Sequence, residues 1–282
     1  MSFVGKSLAS VSAMAGLSAL GLWSLGAKQP SRVIHTHDSV IFLALRHDDA
    51  SYVKTSGFLA DRSLWRASAA FAFISDTEHY WTDYLILPDD PSTAAEITAR
   101  LESEFADVYA ARVHLTPIPS IVTGLLRAQH LAGLTRRPNG PLPEGVEAVE
   151  GRRDVMPTQE SFEKSFAMDP DTQVTMVNFL AYFPSETGDK ERGRRAYRRY
   201  GKEAMKAVHR VGGQFLFSGT ITSVIAETKH HPAPGVWDDL AAMIYPDPTA
   251  IFYMEQNDDY RRALGWRDES LEHTRVIATV SY

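Results

Sequence analysis

The chain has 282 residues, no cysteine, 29 basic against 35 acidic side chains and a formal net charge of −6. That length suits two domains that each bury a core, and 44% hydrophobic with 23% charged residues excludes a disordered chain or a polytopic membrane protein. The negative charge offers phosphate backbones no general attraction, so nucleic acid is not an expected partner, and without cysteine there is no disulfide, thiolate nucleophile or cysteine-ligated metal.

The first 30 residues stand apart from the rest. Ser7 to Ala27 is an uncharged run between Lys6 and Lys28, long enough as a helix to cross a hydrocarbon core of about 30 Å. Its Ser, Gly and Ala content is only weakly apolar, and Leu25 spoils a small-x-small cleavage signature. An anchor, a cleaved signal and a packed soluble helix are the three readings. Membrane association through residues 7–27 is expected ahead of a cytoplasmic location, and the flanking cations leave orientation open.

From Ser39 the pattern becomes that of a folded domain. "SVIFLALR" (39–46) reads as a strand, a short helix follows near Ala50 to Leu59, "LWRASAAFAFIS" (64–75) and "YWTDYLIL" (80–87) read as strands, Pro91 to Arg112 as a helix and "VHLTPI" (113–118) as a strand. Then "TRRPNGPLPEG" (135–145) carries three prolines and two glycines, which no helix or central strand tolerates. This is the linker. Beyond it, "QVTMVNFLAYF" (173–183) is a strand, Arg192 to Val211 a helix, "QFLFSGTITSVIAE" (214–227) and "VWDDLAAMIY" (236–245) strands, Pro248 onward helical and "TRVIATVSY" (274–282) a last strand.

Both halves therefore follow the β-α-β-β-α-β order of a ferredoxin-like unit. The repeat is clearest where Tyr80 to Thr93 matches Val236 to Thr249: a Trp opens a strand that ends in Pro-Asp, and an Asp-Pro pair starts a helix. Asp90 and Asp247 suit N-caps, with Pro91 and Pro248 in the first helical position. From Trp to the first proline the spacing is seven in one copy and nine in the other, an even difference that preserves strand facing. The expected architecture is α+β: two ferredoxin-like units, residues 38–134 and 170–282, pairing face to face in an intramolecular pseudo-dimeric α+β barrel. A hydrophobic N-terminal helix (1–30) precedes them, and a linker with a short helix (135–169) joins them.

In the second half, "MVNFL" (176–180), "AYRRYG" (196–201), "VGG" (211–213), "WDDLAAMIYPDPTAIFYM" (237–254), "DDY" (258–260) and "WRDESLEHT" (266–274) occur in an order and spacing that resembles the domain-of-unknown-function family 1330. That family is grouped by fold with the dimeric α+β barrel proteins. The family's usual "VNLL" stands here as "VNFL", and the first half has no comparable motif. The family has no agreed activity. Fold relatives include cofactor-independent monooxygenases, lactone isomerases and haem enzymes, so the resemblance implies a small-molecule cleft between helices and sheet but no particular reaction. It also singles out Arg267, Trp237, Asp238 and Tyr260.

On the helix from Arg192, spacing by three and four puts Tyr197, Tyr200, Ala204, Val208 and Val211 on one face, which meets the sheet. His209 points away, as a solvated surface residue, and Gly212 is a natural left-handed stop. Tyr197 and Tyr200 are either core aromatics or cleft-lining hydroxyls. On the first strand of that half, period two places Asn178 in an apolar row with Met176, Leu180 and Tyr182. Left unpaired, its amide would cost about 1 to 3 kcal/mol, so fold or ligand must supply partners. Arg267 is suited to a bidentate hold on a carboxylate or enolate, the plain alternative being an ion pair with Asp238, Asp268 or Glu269. Asp238 equally suits a strand-end cap.

Metal ligation is poorly supported: His35 with His37, and His230 with His231, bring no carboxylate at ligand spacing. No phosphate-cradling loop, nucleophile elbow or dinucleotide fingerprint occurs. The expected protein binds a small molecule without metal or cofactor. Asn178, Tyr197 and Arg267 are its candidate catalytic residues, and Tyr200, Trp237, Asp238 and Tyr260 its candidate ligand contacts. Monooxygenase or isomerase chemistry on a small carbonyl or acid is the leading function and a homo-oligomer a further expected assembly. The rival is a non-catalytic, membrane-tethered interaction subunit, which a filled core with an exposed apolar patch would favour.

Overall fold

The structure, a computed structural model, describes residues 30–47, 57–74, 80–101, 104–118, 128–129, 132–133, 135, 155–228 and 237–282. The run Ser7 to Ala27, most of the linker and the His230-His231 pair lie outside the described residues. Among the described residues no helix is long and apolar enough to cross a membrane.

The first half comprises β1 (Ser39–Arg46), α1 (Gly57–Arg62), β2 (Trp65–Ile74), β3 (Asp83–Pro88), α2 (Pro91–Glu96) running into a π-helical turn (Ile97–Leu101), and β4 (Asp107–Leu115). The second comprises α3 (Gln159–Ala167), β5 (Val174–Tyr182), α4 (Glu191–Arg210), β6 (Gln214–Ala226), β7 (Asp239–Tyr245), a 3-10 helix (Ala250–Gln256), α5 (Asp258–Ser270) and β8 (Leu271–Ser281).

Strand order runs β4-β1-β3-β2 in one half and β8-β5-β7-β6 in the other, the same ferredoxin-like order twice, and β2 pairs with β8 while β4 pairs with β6. The two sheets thus join edge to edge into one closed eight-stranded antiparallel barrel. This corrects the face-to-face expectation. Two open sheets would have left four strand edges with unpaired amides and carbonyls, and closure pairs them all.

Every strand contributes to the barrel interior. Phe42, Tyr84, Val113, Phe179, Phe217 and Leu240 belong to one buried cluster, with Phe42 edge-on to Phe179 at 5.5 Å between centroids. Trp81 and Trp237, the two repeat tryptophans, both lie in this cluster. The repeat segments also occupy the same position in each half, at the third strand.

One helix was read too long. The stretch Asp107 to Arg112, expected to continue the helix from Pro91, is already strand β4, paired on one side with β1 and on the other with β6. Its Ala, Arg and Tyr residues carry weak local preference, and two flanking ladders override it. The helix start is as expected. The Asp90 carboxylate accepts from the Thr93 amide at 2.9 Å and the Thr93 hydroxyl at 2.7 Å, with Pro91 in the first turn. In the second copy Asp247 accepts from the Thr249 amide at 2.9 Å, closing a tighter turn before the 3-10 helix.

Hydrogen bonds from Ser92 and Thr93 hold Asp90 well below the usual carboxylate range. Asp90→Ala should therefore cost about 1 kcal/mol in urea unfolding at pH 7. Because the folded value lies below the ordinary one, that contribution is full above the ordinary carboxylate pKa and is lost as pH falls through the folded value. The two stability curves should converge in acid.

Outside the barrel, the helices of the two halves differ in what they leave open. In the first half Leu59, Ile97, Leu101 and Phe105 pack directly on Ile41, Leu43, Leu85 and Leu87. In the second, α4 lays Ala204, Ala207 and Val208 on the sheet and turns its Arg198 and Lys206 to solvent in pairs with Glu191 and Glu203. It ends at Gly212, φ 83°, where the Gly213 amide bonds Val208 and the Gly212 amide bonds His209, a Schellman closure that needs the left-handed residue.

Candidate functional site

Between the outer face of β5, β7 and β6 and the helices α4 and α5 lies a cavity of about 680 Å³, within the usual size of a small-molecule site. Strand alternation builds its floor. The odd residues Val177 and Phe179 of β5 face into the barrel, so Met176, Asn178, Leu180 and Tyr182 face the helices and line the cavity. On β7 the same alternation presents Asp239, Ala241 and Met243, paired in register with Leu180, Asn178 and Met176.

Asn178 lies in the middle of this floor. Its Nδ2 donates to the Met176 carbonyl at 3.0 Å and the Ala241 carbonyl at 3.2 Å. Both partners are acceptors, so the nitrogen must occupy that side and the side-chain oxygen is left toward the cavity. Of the two sources of partners that the sequence allowed for this amide, the fold supplies those of the nitrogen, which leaves the residue an acceptor to offer.

Arg267, on α5, is only 7% exposed and lines the cavity. It donates through Nη1 to the Val155 carbonyl, and the Met156 sulfur lies 3.7 Å from the same nitrogen. Among the described residues it has no carboxylate partner. The ion pair with Asp238 that the sequence allowed is absent because Asp238 is engaged elsewhere.

Four tyrosines run from the floor at Tyr182 up onto the helices, with ring centroids 5.6 Å apart for Tyr182 and Tyr197, 5.3 Å for Tyr197 and Tyr200, and 6.2 Å for Tyr200 and Tyr260. Tyr200 and Tyr260 share a hydrogen bond. Burial, reinforced by Tyr200, raises the Tyr197 pKa well above that of an ordinary phenol, and the Arg267 charge opposes this only in part. Tyr197 therefore keeps its proton at neutral pH.

Asp239 was missed by the sequence reading, which followed the family motif to its neighbour Asp238. Period two alone would have found it, since it shares a face with Ala241. Its carboxylate accepts from the Tyr182 hydroxyl at 2.9 Å and from Arg194 at 3.2 Å. Burial raises its pKa, opposed by Arg194, Tyr182 and Thr220. Glu255, also in the lining, is raised by burial against the pull of Arg261.

Two expected ligand contacts lie elsewhere. Trp237 is 4% exposed in the barrel interior, edge-on to His273 at 4.9 Å. Asp238 accepts from the Tyr182 amide at 2.8 Å and Lys190 at 2.9 Å, tying the end of β5 to the start of α4 as a strand-end latch. His209 is outside the lining, and its Nδ1 meets the Gly213 carbonyl at 3.0 Å. It is half-buried against its own helix end, not fully solvated as expected.

The repeat has a degenerate counterpart of this site. Asp83 pairs with Leu45 as Asp239 pairs with Leu180, so His47 stands where Tyr182 does and Leu43 where Asn178 does. His47 Nε2 meets Asp83 at 2.5 Å and the Ser68 hydroxyl donates to it at 3.0 Å. Ser68 faces Asp83 as Thr220 faces Asp239. The acidic node is retained, while leucine replaces the central amide and helix side chains occupy the space above.

Among the described residues no group of three His, Asp or Glu could hold a metal ion. His35 stacks on Phe215 with centroids 5.6 Å apart, and no histidine lines the cavity.

No protein-family model and no curated protein matches the chain. Solved structures similar to it include a protein of unknown function from Rhodopseudomonas palustris, 25% identical, with 44% of this chain and 93% of that one covered at a TM-score of 0.37. Another is a chlorite dismutase variant from Candidatus Nitrospira defluvii, 10% identical, with 89% of this chain and 94% of that one covered at a TM-score of 0.42.

Proposed function

We propose that this is a small-molecule-binding α+β barrel protein whose second-half cavity takes a small organic acid or carbonyl compound, and that it acts on it as a cofactor-independent enzyme of isomerase type. The observation that carries the proposal is Arg267: a cation 7% exposed, facing a cavity, with only neutral partners among the described residues. Burying a charge without an opposite one is costly, and an anionic ligand group removes that cost. A carboxylate or an enolate oxygen matches the planar fork of a guanidinium.

Beside it, Tyr197 is a phenol that keeps its proton and is positioned to return one to an enolate held by Arg267. Asp239 is the carboxylate of the floor, and it takes a proton from carbon only by exchanging its hydrogen bond from the Tyr182 hydroxyl or from Arg194. A partly open cavity with polar and apolar walls favours this reading over the non-catalytic interaction subunit, which calls for a filled core. Fold alone would not distinguish them.

Mass spectrometry of small molecules released from the purified protein should return an organic acid or its carbonyl tautomer. In D2O the wild type should exchange the acidic C–H of that compound, and Tyr197→Phe should retain the compound but exchange it about a hundredfold more slowly. Retention only of a neutral compound without an enolisable carbonyl would sink the acid site. Retention of an acid with no exchange would remove the catalytic part and leave a binding protein.

A further inference from the structure

On the helix side of the cavity Arg267 is a donor and Tyr197 carries a hydroxyl, whereas the middle of the floor presents the Asn178 side-chain oxygen, with the Asp239 carboxylate beyond it held by Tyr182 and Arg194. The Asn178 assignment rests on geometry, because its nitrogen is fixed by the Met176 and Ala241 carbonyls at 3.0 and 3.2 Å. Asp239 lies on the same face, one step along the ladder, since Asn178 pairs with Ala241 and Leu180 with Asp239.

We infer that the ligand is a hydroxy acid or N–H-bearing acid with a ring-sized apolar body, its acid group toward Arg267 and its donor toward Asn178. This deepens the acid-site reading and rests on it. A ligand with an acid alone would bury the Asn178 oxygen unpaired, and a ligand presenting an ether oxygen there would set acceptor against acceptor. The body is specified by the walls. Met176 and Met243 line one side, and the tyrosine series, with centroid spacings of 5.3 to 6.2 Å, offers ring faces and edges to a planar group.

Titration calorimetry of the full chain with four probes tests this: 4-hydroxyphenylacetate, phenylacetate, 4-methoxyphenylacetate and 4-hydroxybenzyl alcohol. The wild type should bind the hydroxy acid roughly ten- to a hundredfold more tightly than phenylacetate, the range set by one buried acceptor left unpaired, and the methoxy acid most weakly of the acids. Asn178→Leu should abolish the preference for the hydroxyl while phenylacetate still binds. If that variant does not fold, the order of the three acids on the wild type decides the matter. Acids that bind equally well with or without the hydroxyl, or a preference that survives in Asn178→Leu, would overturn the inference and leave the acid site standing. Binding of the alcohol but of no acid would strike down the acid site and, with it, the hydroxy-acid assignment. Binding of none of the four would overturn both.

Discussion

Arg267→Gln should weaken the binding of organic acids by about 30- to 4,000-fold, the range for removing one partner of a buried, hydrogen-bonded charge pair, while leaving the stability of the unliganded protein unchanged or raised. The two expectations come from one circumstance. Without ligand the guanidinium is buried against the Val155 carbonyl and the Met156 sulfur, so among the described residues desolvation of its charge is not offset by an opposite charge. Glutamine removes the charge and keeps an N–H that reaches toward the same carbonyl. Calorimetric titration and urea unfolding of the same two proteins separate the effects. A loss of about 3 to 5 kcal/mol in stability would instead mean that Arg267 is half of an ion pair in the folded chain. That outcome would remove the main support for an acid site.

Gly219→Ala should be the most damaging small substitution in the barrel, costing about 3 kcal/mol, and Gly219→Val should prevent closure. Gly219 lies opposite Leu115 where β6 meets β4. A side-chain carbon there would collide with the His114 carbonyl oxygen and come within 2.6 Å of a Val113 methyl. The neighbour that must yield is strand backbone, and moving it opens the seam that joins the two halves. Gly265→Ala is the matched control. A carbon added there meets nothing within 4 Å, and in a helix the change should stabilise by up to about 1 kcal/mol. Equal stability of Gly219→Ala and the wild type in urea would show that β4 and β6 do not pair in this register.

The pseudo-symmetry bears on why the second half supplies most of the cavity lining, the first half lending Phe73, Ile74, Thr116 and Ile118. The Asp83 node with His47 and Ser68 mirrors the Asp239 node with Tyr182 and Thr220, but Leu43 stands in place of Asn178 and Leu59, Ile97 and Leu101 close the space above. The first half serves mainly the barrel and the second half carries most of the cavity.

Local periodicity was enough to read the order of elements, the twofold repeat and the sharing of one space by Asn178, Tyr197 and Tyr200. Side chains two apart on a strand and three or four apart on a helix share a face whatever the rest of the chain does. The Asp90 cap and the Gly212 stop were legible for the same reason, since each is closed by groups within five residues. Where the outcome depended on a distant partner, the sequence was silent or misleading. Asp107 to Arg112 became a strand because β1 and β6 flank it, and Trp237 turned into the barrel because the seams close around it. Among the described residues Arg267 has no carboxylate partner, and Asp238 is claimed by Lys190 and the Tyr182 amide. Even the chemical sense of Asn178, acceptor and not donor, was decided by a carbonyl 63 residues away. Hydrogen bonds and charge pairs are settled by competition among groups that only the folded chain brings together, and that competition leaves no trace in local spacing.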